Sequence, residues 1–380
     1  PMALLLAVAV DGAGERGEPG TVLDHLGRAL RFTHDTVGEH GLPLLGFADW
    51  NDCVNLGLGA ESFFVACLYG VALVEMAELA EHLGDLAAAA CYRTWHGEMR
   101  ERVEEWGWDG AWYRRYIAAD GAFLGSAGNA VGKIYLNAQS WPVMAGFASP
   151  QRATAALDAA REQLNTECGL KISTPGYNGF DPSVGGVSSY PPGAKENGGI
   201  FLHTNPWMVI AETIVGRGDR AFEYYRRINP AAKNERIDRY EIEPYGYAQN
   251  ILGDEHSRFG LGRNSWLSGT AAWMYRAGTR HILGIRPRHT GLRIDPCIPS
   301  SWNGFTAERT FREARYRITV RNPHGVCRGV GRLSVDGERV EGDTVPVLER
   351  GTHEVVVTLG GGNGAEGARP GPSRASRPAP

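Results

Sequence analysis

Apolar residues divide the chain into helix-period, irregular and strand-period stretches. From Thr21 to about His40 they fall at Val22, Leu23, Leu26, Leu30, Phe32 and Val37, close to the helical repeat, with Thr21 as a suitable N-cap. From Ser62 to about Leu83 they recur through Phe63, Val65, Leu68, Tyr69, Leu73, Met76 and Leu79, and stop at Gly84-Asp85. A second helix, Leu86 to about Trp106, returns through that tight turn as an α-hairpin. Trp108–Tyr116 reads as a short strand pair around a Gly turn. Asn137–Phe147 and Pro150–Leu164 read as the next helix pair, and helices follow at Asn205–Gly216, Asp219–Arg227 and Ser265 to about Leu283. Long polar stretches rich in Gly, Pro and Tyr, 171–201 and 240–262, separate them, and loops of this length are usually functional. Beyond Arg286-Pro287 the period shortens. Leu292–Asp295, Tyr316–Val320, Arg332–Gly337 and His353–Leu359 alternate or run β-branched between Gly, Pro and Asn.

Helix pairs joined by long loops that alternate with tight ones describe a barrel of helix hairpins, its long loops gathered at one end. About seven helices are legible, where a toroid of six hairpins needs twelve. The expected fold class is therefore mainly α: a partial (α/α) six-hairpin toroid, about half the barrel, followed by a small antiparallel β domain. The expected domains are 1–286, the partial barrel, and 287–360, the β domain. Residues 361–380 are Gly/Pro/Ala/Ser/Arg-rich and are expected to be a disordered tail. The opening apolar run, Met2–Val10, lacks a basic leader, is too short to span a bilayer and runs into Asp11. It reads as the remnant of a buried helix.

Composition narrows the function. The 380 residues carry a net charge of −4 with no concentrated Lys/Arg face, which argues against nucleic acid or anionic membrane as partner. Six scattered cysteines without a C-x-x-C pair suggest neither a zinc site nor a disulfide framework, and a cytoplasmic location is expected. Ten Trp and fourteen Tyr, several in polar loops, suit carbohydrate.

The densest chemistry lies in Gly46-Phe47-Ala48-Asp49-Trp50-Asn51-Asp52-Cys53. An indole can stack on a pyranose, amides can bond hydroxyls, and a carboxylic acid can protonate a glycosidic oxygen. The same residues suit a loop in which Asp49 caps a helix and Trp50 is core. Farther on, Tyr190-Pro191-Pro192-Gly193-Ala194-Lys195-Glu196-Asn197 offers three hydrogen-bonding heads on a turn shaped by Gly and Pro, equally suited to a surface turn. His203 precedes Asn205-Pro206 at a helix start, where it can pack, cap or hold an anion. Tyr245–Asn250 contains Gln249, and Arg263–Thr270 contains Ser268-Gly269, hydroxyl and backbone donors able to approach a phosphate. The chain has no P-loop, nucleophile elbow or H-E-x-x-H.

Taken jointly, Ala48–Asp52, Tyr190–His203, Ile242–Gln249, Asn264–Thr270, and Ile282–Pro287 with Ile294–Pro299 resemble the inverting disaccharide phosphorylases of glycoside hydrolase family 94 in order and context over about residues 20–360. The likeness is nearest to the cellobiose type, with cellobionic acid, cellodextrin and diacetylchitobiose phosphorylases as alternatives. It implies that Asp52 is the general acid and that Trp50, with Asp49 beside it, serves the transferred sugar. It implies that His203, Gln249, Ser268 and Gly269 hold phosphate, and that Tyr190, Lys195 and Glu196 meet the acceptor sugar. The implied reaction is phosphorolysis of a β-1,4-glucosyl disaccharide to α-glucose 1-phosphate and the released sugar. Inorganic phosphate is the co-substrate, with no other cofactor and no metal, and a homodimer is expected. One acid suffices because phosphate is already an anionic nucleophile, whereas an inverting hydrolase also needs a base for water. To act near neutral pH, Asp52 is expected to be buried, with Asp49 adding to the effect.

The family's β-sandwich, linker and first barrel half have no counterpart in these residues. The chain is accordingly expected to be a piece of a longer enzyme, or an inactive carbohydrate-binding remnant, with an exposed apolar face. Pro191 beside the acceptor loop, where a basic residue would favour an aldonic acid, points to a neutral acceptor.

Overall fold

Thr21 opens the first helix, as its place before Val22 requires. The computed structural model describes residues 9–10 and 20–360, and in it α1 runs Val22–Asp35. The Thr21 hydroxyl accepts from the Asp24 amide and the Asp24 carboxylate accepts from the Thr21 amide at 2.8 Å, a complete capping box. α2 (Phe63–His82) and α3 (Leu86–Trp106) form the expected hairpin, turned at Gly84 with φ +82°. α4 (Leu136–Met144) and α5 (Pro150–Leu164) follow, then α6 (Asn205–Ile214), α7 (Gly218–Ile228), the single turn α8 (Ile237–Tyr240) and α9 (Thr270–Arg276).

α6 is the hub. Every residue from Asn205 to Thr213 is buried, and α4, α5, α7 and α9 all pack on it. Its Trp207 meets Trp141 of α4 edge-to-face at 5.3 Å between ring centres, and Trp141 meets Phe64 of α2 at 5.2 Å. α2 is long and apolar enough to cross a bilayer, but most of its apolar window is buried in this core, as in the core helix of a folded domain. Phe32, Leu68 and Val74 on α1 and α2 are exposed.

Small antiparallel sheets tie the loops to this helical frame. Ile200–Phe201 pairs with Ala248–Ile251, which pairs with Gly262–Ser265. Glu61–Ser62 pairs with Tyr116–Ile117, which pairs with Phe123–Leu124. Helices with several such sheets are the observed architecture of the first unit.

Several expectations need correction. The helix expected from Ser265 begins at Thr270, because Ser265 pairs with Ala248 across the sheet and Trp266 takes φ +65°. Its second half, Ala277–Ile282, is a π-helix. Trp108 and Tyr113 form only an isolated bridge, and the strand itself lies at Tyr116–Ile117. The chain divides into two compact units between Ile282 and Leu283, not after Arg286, because Ile285–Pro287 already pairs with Gly291–Ile294. The second unit is not purely antiparallel. Its largest sheet runs Gly304–Phe311, Ala314–Arg321, Gly351–Leu359, Val330–Val335, Glu338–Val340, and Ala314–Arg321 lies parallel to Gly351–Leu359. The residues between those two strands are numerous enough for the crossover that a parallel pair requires. Ala9–Val10 pairs with Gly20–Thr21 as a strand, so the end of the opening apolar run is extended rather than helical. The rest of that run and the tail at 361–380 lie outside the described residues.

Two helical glycines should respond in opposite directions. A Cβ on Gly70 would lie 2.3 Å from Cζ of the buried Phe147, whereas one on Gly97 meets nothing within 4 Å. Gly97→Ala is expected to raise unfolding free energy in urea by roughly 0.5–1 kcal/mol through helix propensity, and Gly70→Ala to lower it by about 1–2 kcal/mol through overpacking.

Candidate active site

The Asp49–Asp52 loop is closed at its base. The Leu45 amide donates to the Ala60 carbonyl at 2.7 Å, and Leu44 bridges Glu61. Gly46 turns with φ +64° into the loop. Its far side is stapled to the segment before Tyr190: the Val187 amide donates to the Cys53 carbonyl at 2.8 Å and the Asn55 amide to Val184 at 3.2 Å.

Asp49 lies at the centre of a buried cluster. Ser62 caps α2 by accepting from the Val65 amide at 3.1 Å, and its hydroxyl donates to Asp49 Oδ2 at 2.7 Å. Arg115, fully buried, pairs with Asp49 Oδ2 at 2.8 Å and donates through Nη2 to Asp49 Oδ1 at 2.9 Å and to Asn51 Oδ1 at 2.7 Å. Its guanidinium lies 4.0 Å over the Tyr116 ring, and the Tyr116 hydroxyl donates to Asp49 Oδ1 at 3.1 Å. Burial pushes the Asp49 carboxyl up, but the Arg115 charge and hydrogen bonds, with those of Ser62 and Asn51, outweigh it and leave Asp49 below its ordinary value of 3.8. Asp49 is thus an ionised support of the loop with its oxygens taken up by protein donors, rather than a group free to meet a sugar.

Asp52 sits exposed at the loop tip, so the burial expected of it is not found. A buried carboxyl close to Asp52 is that of Glu196. Burial first, and the Asp52 charge second, push Glu196 up to about 7 against the opposing pull of Arg115. Among the described residues its Oε2 has no hydrogen-bond partner. Tyr190 lies nearby, its hydroxyl 3.4 Å from Cys53 Sγ, and the Lys195 ammonium sits 5.1 Å from the Tyr190 ring centre. The neighbouring Asn197 is not available to a ligand. Its Oδ1 accepts from the Tyr177 amide at 2.7 Å, and its Nδ2 donates to the Tyr177 and Tyr190 carbonyls at 2.8 and 2.7 Å.

The three-stranded sheet gathers the remaining motifs. His203 follows strand Ile200–Phe201, Gln249 lies on Ala248–Ile251, and Ser268-Gly269 follows Gly262–Ser265 and opens α9. Together with Trp50, Phe201 and Leu267 they line a cavity of about 280 Å³. Trp50 is held by T-shaped contacts to His203 at 5.3 Å and Trp207 at 5.0 Å. Burial depresses His203 to about 4, so its imidazole is neutral at pH 7, and among the described residues its Nε2 has no hydrogen-bond partner. Gly269 comes so close that a Cβ there would lie 3.0 Å from His203 Cε1. The Gln249 Oε1 accepts from Asn264 at 3.0 Å, which leaves the Gln249 –NH2 as a donor. The Ser268 hydroxyl meets that of Thr270 and accepts from its amide at 3.1 Å. A neutral imidazole, an amide and a hydroxyl around a cavity can cradle an oxyanion by dipoles alone. Among the described residues no group of three or more His, Cys, Asp or Glu side chains is arranged to hold a metal ion.

The catalytic-domain model of the Glycosyl hydrolase 94 superfamily matches residues 10–284. The chain belongs to this family. It is 39% identical over 346 residues to N,N'-diacetylchitobiose phosphorylase of Vibrio proteolyticus and 41% identical over 347 residues to that of Vibrio furnissii, each alignment covering 90% of this chain and 43% of the relative. Solabiose phosphorylase of Paenibacillus borealis is 35% identical over 90% of this chain and 45% of its own length. The chain therefore spans less than half the length of these relatives.

For this member of the family, the structure adds residues to those proposed from sequence. Arg115 is the most consequential. Tyr113, Arg115 and Tyr116 are all buried, so simple strand alternation does not single Arg115 out. No local signal marks Phe201 as a wall of the cavity, or His256, Arg258 and Arg263 as walls of a second cavity of about 420 Å³ beside Tyr190 and Lys195.

Arg115→Met is expected to destabilise the protein by about 3–5 kcal/mol, since it strands a buried carboxylate, and Arg115→Met with Asp49→Asn to recover part of that loss in thermal melts. Glu196 carries a pH signature. Between its ordinary 4.5 and about 7 the folded chain keeps a proton that the unfolded chain releases, so this group's contribution to stability falls as pH rises through that window. His203 acts with the opposite sign between about 4 and 6.5, where the unfolded chain binds the proton. The stability of Glu196→Gln relative to wild type should therefore climb from pH 4.5 to 7 and level off above it, by at most about 3 kcal/mol, as read by urea unfolding at each pH.

Proposed function

We propose that this chain carries the general acid and phosphate cradle of an inverting disaccharide phosphorylase, its helix hairpins forming part of an (α/α) six-hairpin toroid. The observation that supports this best is the convergence of Trp50, His203, Gln249, Ser268 and Gly269 on one cavity, two residues along the chain from Asp52. In this reading Asp52 gives its proton to the glycosidic oxygen as the bond to the anomeric carbon breaks. A phosphate oxygen attacks that carbon from the opposite face, so a β-linkage yields an α-sugar 1-phosphate and a free sugar. The neutral donors orient phosphate, and orientation supplies much of the acceleration when the nucleophile arrives already charged. Trp50 supplies the face on which the transferred ring stacks. No metal or organic cofactor takes part, and cytoplasmic location and self-association belong to the same proposal.

The finer choice is the disaccharide. The motif resemblance favours a β-1,4-glucosyl substrate of the cellobiose kind. The names of the two Vibrio relatives favour the N-acetylglucosamine disaccharide as a second reading. The assay is phosphate release from α-glucose 1-phosphate or α-N-acetylglucosamine 1-phosphate with glucose or N-acetylglucosamine as acceptor. Asp52→Asn is expected to lower the rate by about 10²–10⁴-fold, as for loss of a general acid. His203→Gln is expected to weaken phosphate binding in calorimetry. Undiminished turnover in Asp52→Asn, or disaccharide cleavage indifferent to phosphate, would overturn the proposal.

A further inference from the structure

One indole ties together two walls of the 280 Å³ cavity without lining it. Trp50 and His203 belong to that wall and Trp207 does not. The three rings nonetheless close a triangle. Between ring centres Trp207 lies 5.0 Å from Trp50 and 5.0 Å from His203, and Trp50 lies 5.3 Å from His203. Trp207 meets Trp50 in a T-shape and His203 at a tilt of 44°, arrangements that suit the ring quadrupoles. His203 precedes Trp207 by four residues, the spacing that brings side chains together on a helical surface. Trp207 has little freedom of its own. It is 2% exposed, and Trp141 of α4, Phe64 of α2 and Trp273 of α9 meet its ring at 5.3, 5.7 and 5.8 Å. The backbone beneath it is pinned as well. Asn205 Oδ1 accepts from the Leu170 amide at 2.9 Å, and Asn205 Nδ2 donates to the Leu170 and Phe201 carbonyls at 3.0 and 3.2 Å. Trp141 offers a comparison. It is as deeply buried, but among the described residues its ring contacts are Phe64, Trp207 and Trp273, not Trp50 or His203.

We propose that Trp207 is a positioning residue for this cavity: its buried indole fixes the orientation of His203 against Trp50 and keeps water from the imidazole. The imidazole is buried by rings rather than paired with charge. Burial is the cause that lowers its titration to about 4, with no charged side chain contributing. The cavity lining holds no other titratable side chain. Removing the Trp207 ring therefore lets water reach the imidazole, raises its affinity for a proton and loosens its angle to Trp50. Because Trp207 does not line the cavity, its effect on an anion held there passes through His203 and Trp50.

The inference rests on the reading of this cavity as a phosphate cradle, but its first measurement needs neither phosphate nor turnover. The imidazole Cε1–H resonance of His203, identified by its loss in His203→Gln, is followed by NMR against pH in the full 380-residue chain and in Trp207→Leu, Trp207→Phe and Trp141→Leu. Trp207→Leu is expected to raise the proton affinity of His203 at least about tenfold. Trp207→Phe, which keeps a ring, is expected to raise it by about threefold, and it carries the test alone where Trp207→Leu does not fold. Trp141→Leu is expected to lower the melting temperature and leave the His203 titration in place. Inorganic phosphate, titrated calorimetrically at pH 7 into the same proteins, is expected to bind at least about tenfold more weakly to Trp207→Leu and as in wild type to Trp141→Leu. A His203 titration unmoved by both Trp207 substitutions overturns the inference. So does an equal movement in Trp141→Leu, which would mark a general loosening of the aromatic core, and so does a moved titration with phosphate binding unweakened. Absence of phosphate binding by the wild-type chain would instead count against the phosphorylase reading and leave the titration to decide the role of Trp207.

Discussion

A fully buried guanidinium has to find compensation within the protein, and the Arg115 group finds it in one place. Desolvating a cation costs several kcal/mol unless charge and hydrogen bonds replace water. Asp49, Asn51 and Ser62 supply these, and the rings of Tyr116 and Phe64 close around the planar group. Three segments are thereby locked together: the 46–59 loop, the first turn of α2 and the strand at Tyr116–Ile117. Asp49 is spent on this lock. What the lock yields is a fixed base from which Trp50 reaches the aromatic core and Asp52 stands at the rim.

The same economy of charge separates the two cavities. In the first, burial keeps His203 neutral, so the lining presents dipoles rather than charges: an imidazole, an amide, a hydroxyl and the backbone near Gly269. Neutral donors orient a phosphate without pairing away its charge, which suits a group that is to act as nucleophile in the proposed reaction. In the second, the lining carries formal charges on Lys195, Arg258 and Arg263. Glu196 lies between these regimes. Its carboxyl is pushed up to about 7, by burial first and by the Asp52 charge second.

Much of this was legible in the chain. Helices α1–α7 fall within a few residues of their expected bounds because each combines an apolar period with a cap or stop at its end: Thr21, Ser62, Gly84-Asp85, Ser149-Pro150. Misreadings cluster where tertiary pairing overrides local pattern. Ser265 precedes a helical apolar pattern but is claimed by Ala248 across a strand, and two β-branched runs in the second unit alternate identically whether they pair parallel or antiparallel. Periodicity reports which face is buried, not which strand lies alongside.

The sequence by itself determined the chemistry on offer: an acid–indole–amide loop, a histidine before a helix, a glutamine, and a hydroxyl–glycine pair. It could not determine which of these groups remain available. Asp49 and Asn197 are consumed by buried donors and carbonyls, and Arg258 and Arg263 are delivered to a cavity more than sixty residues away from Lys195 in the chain. Local spacing specifies side-chain identity and face. Availability, protonation and charge environment depend on what long-range contacts bring near and on how much water they exclude, and only the folded structure decides that.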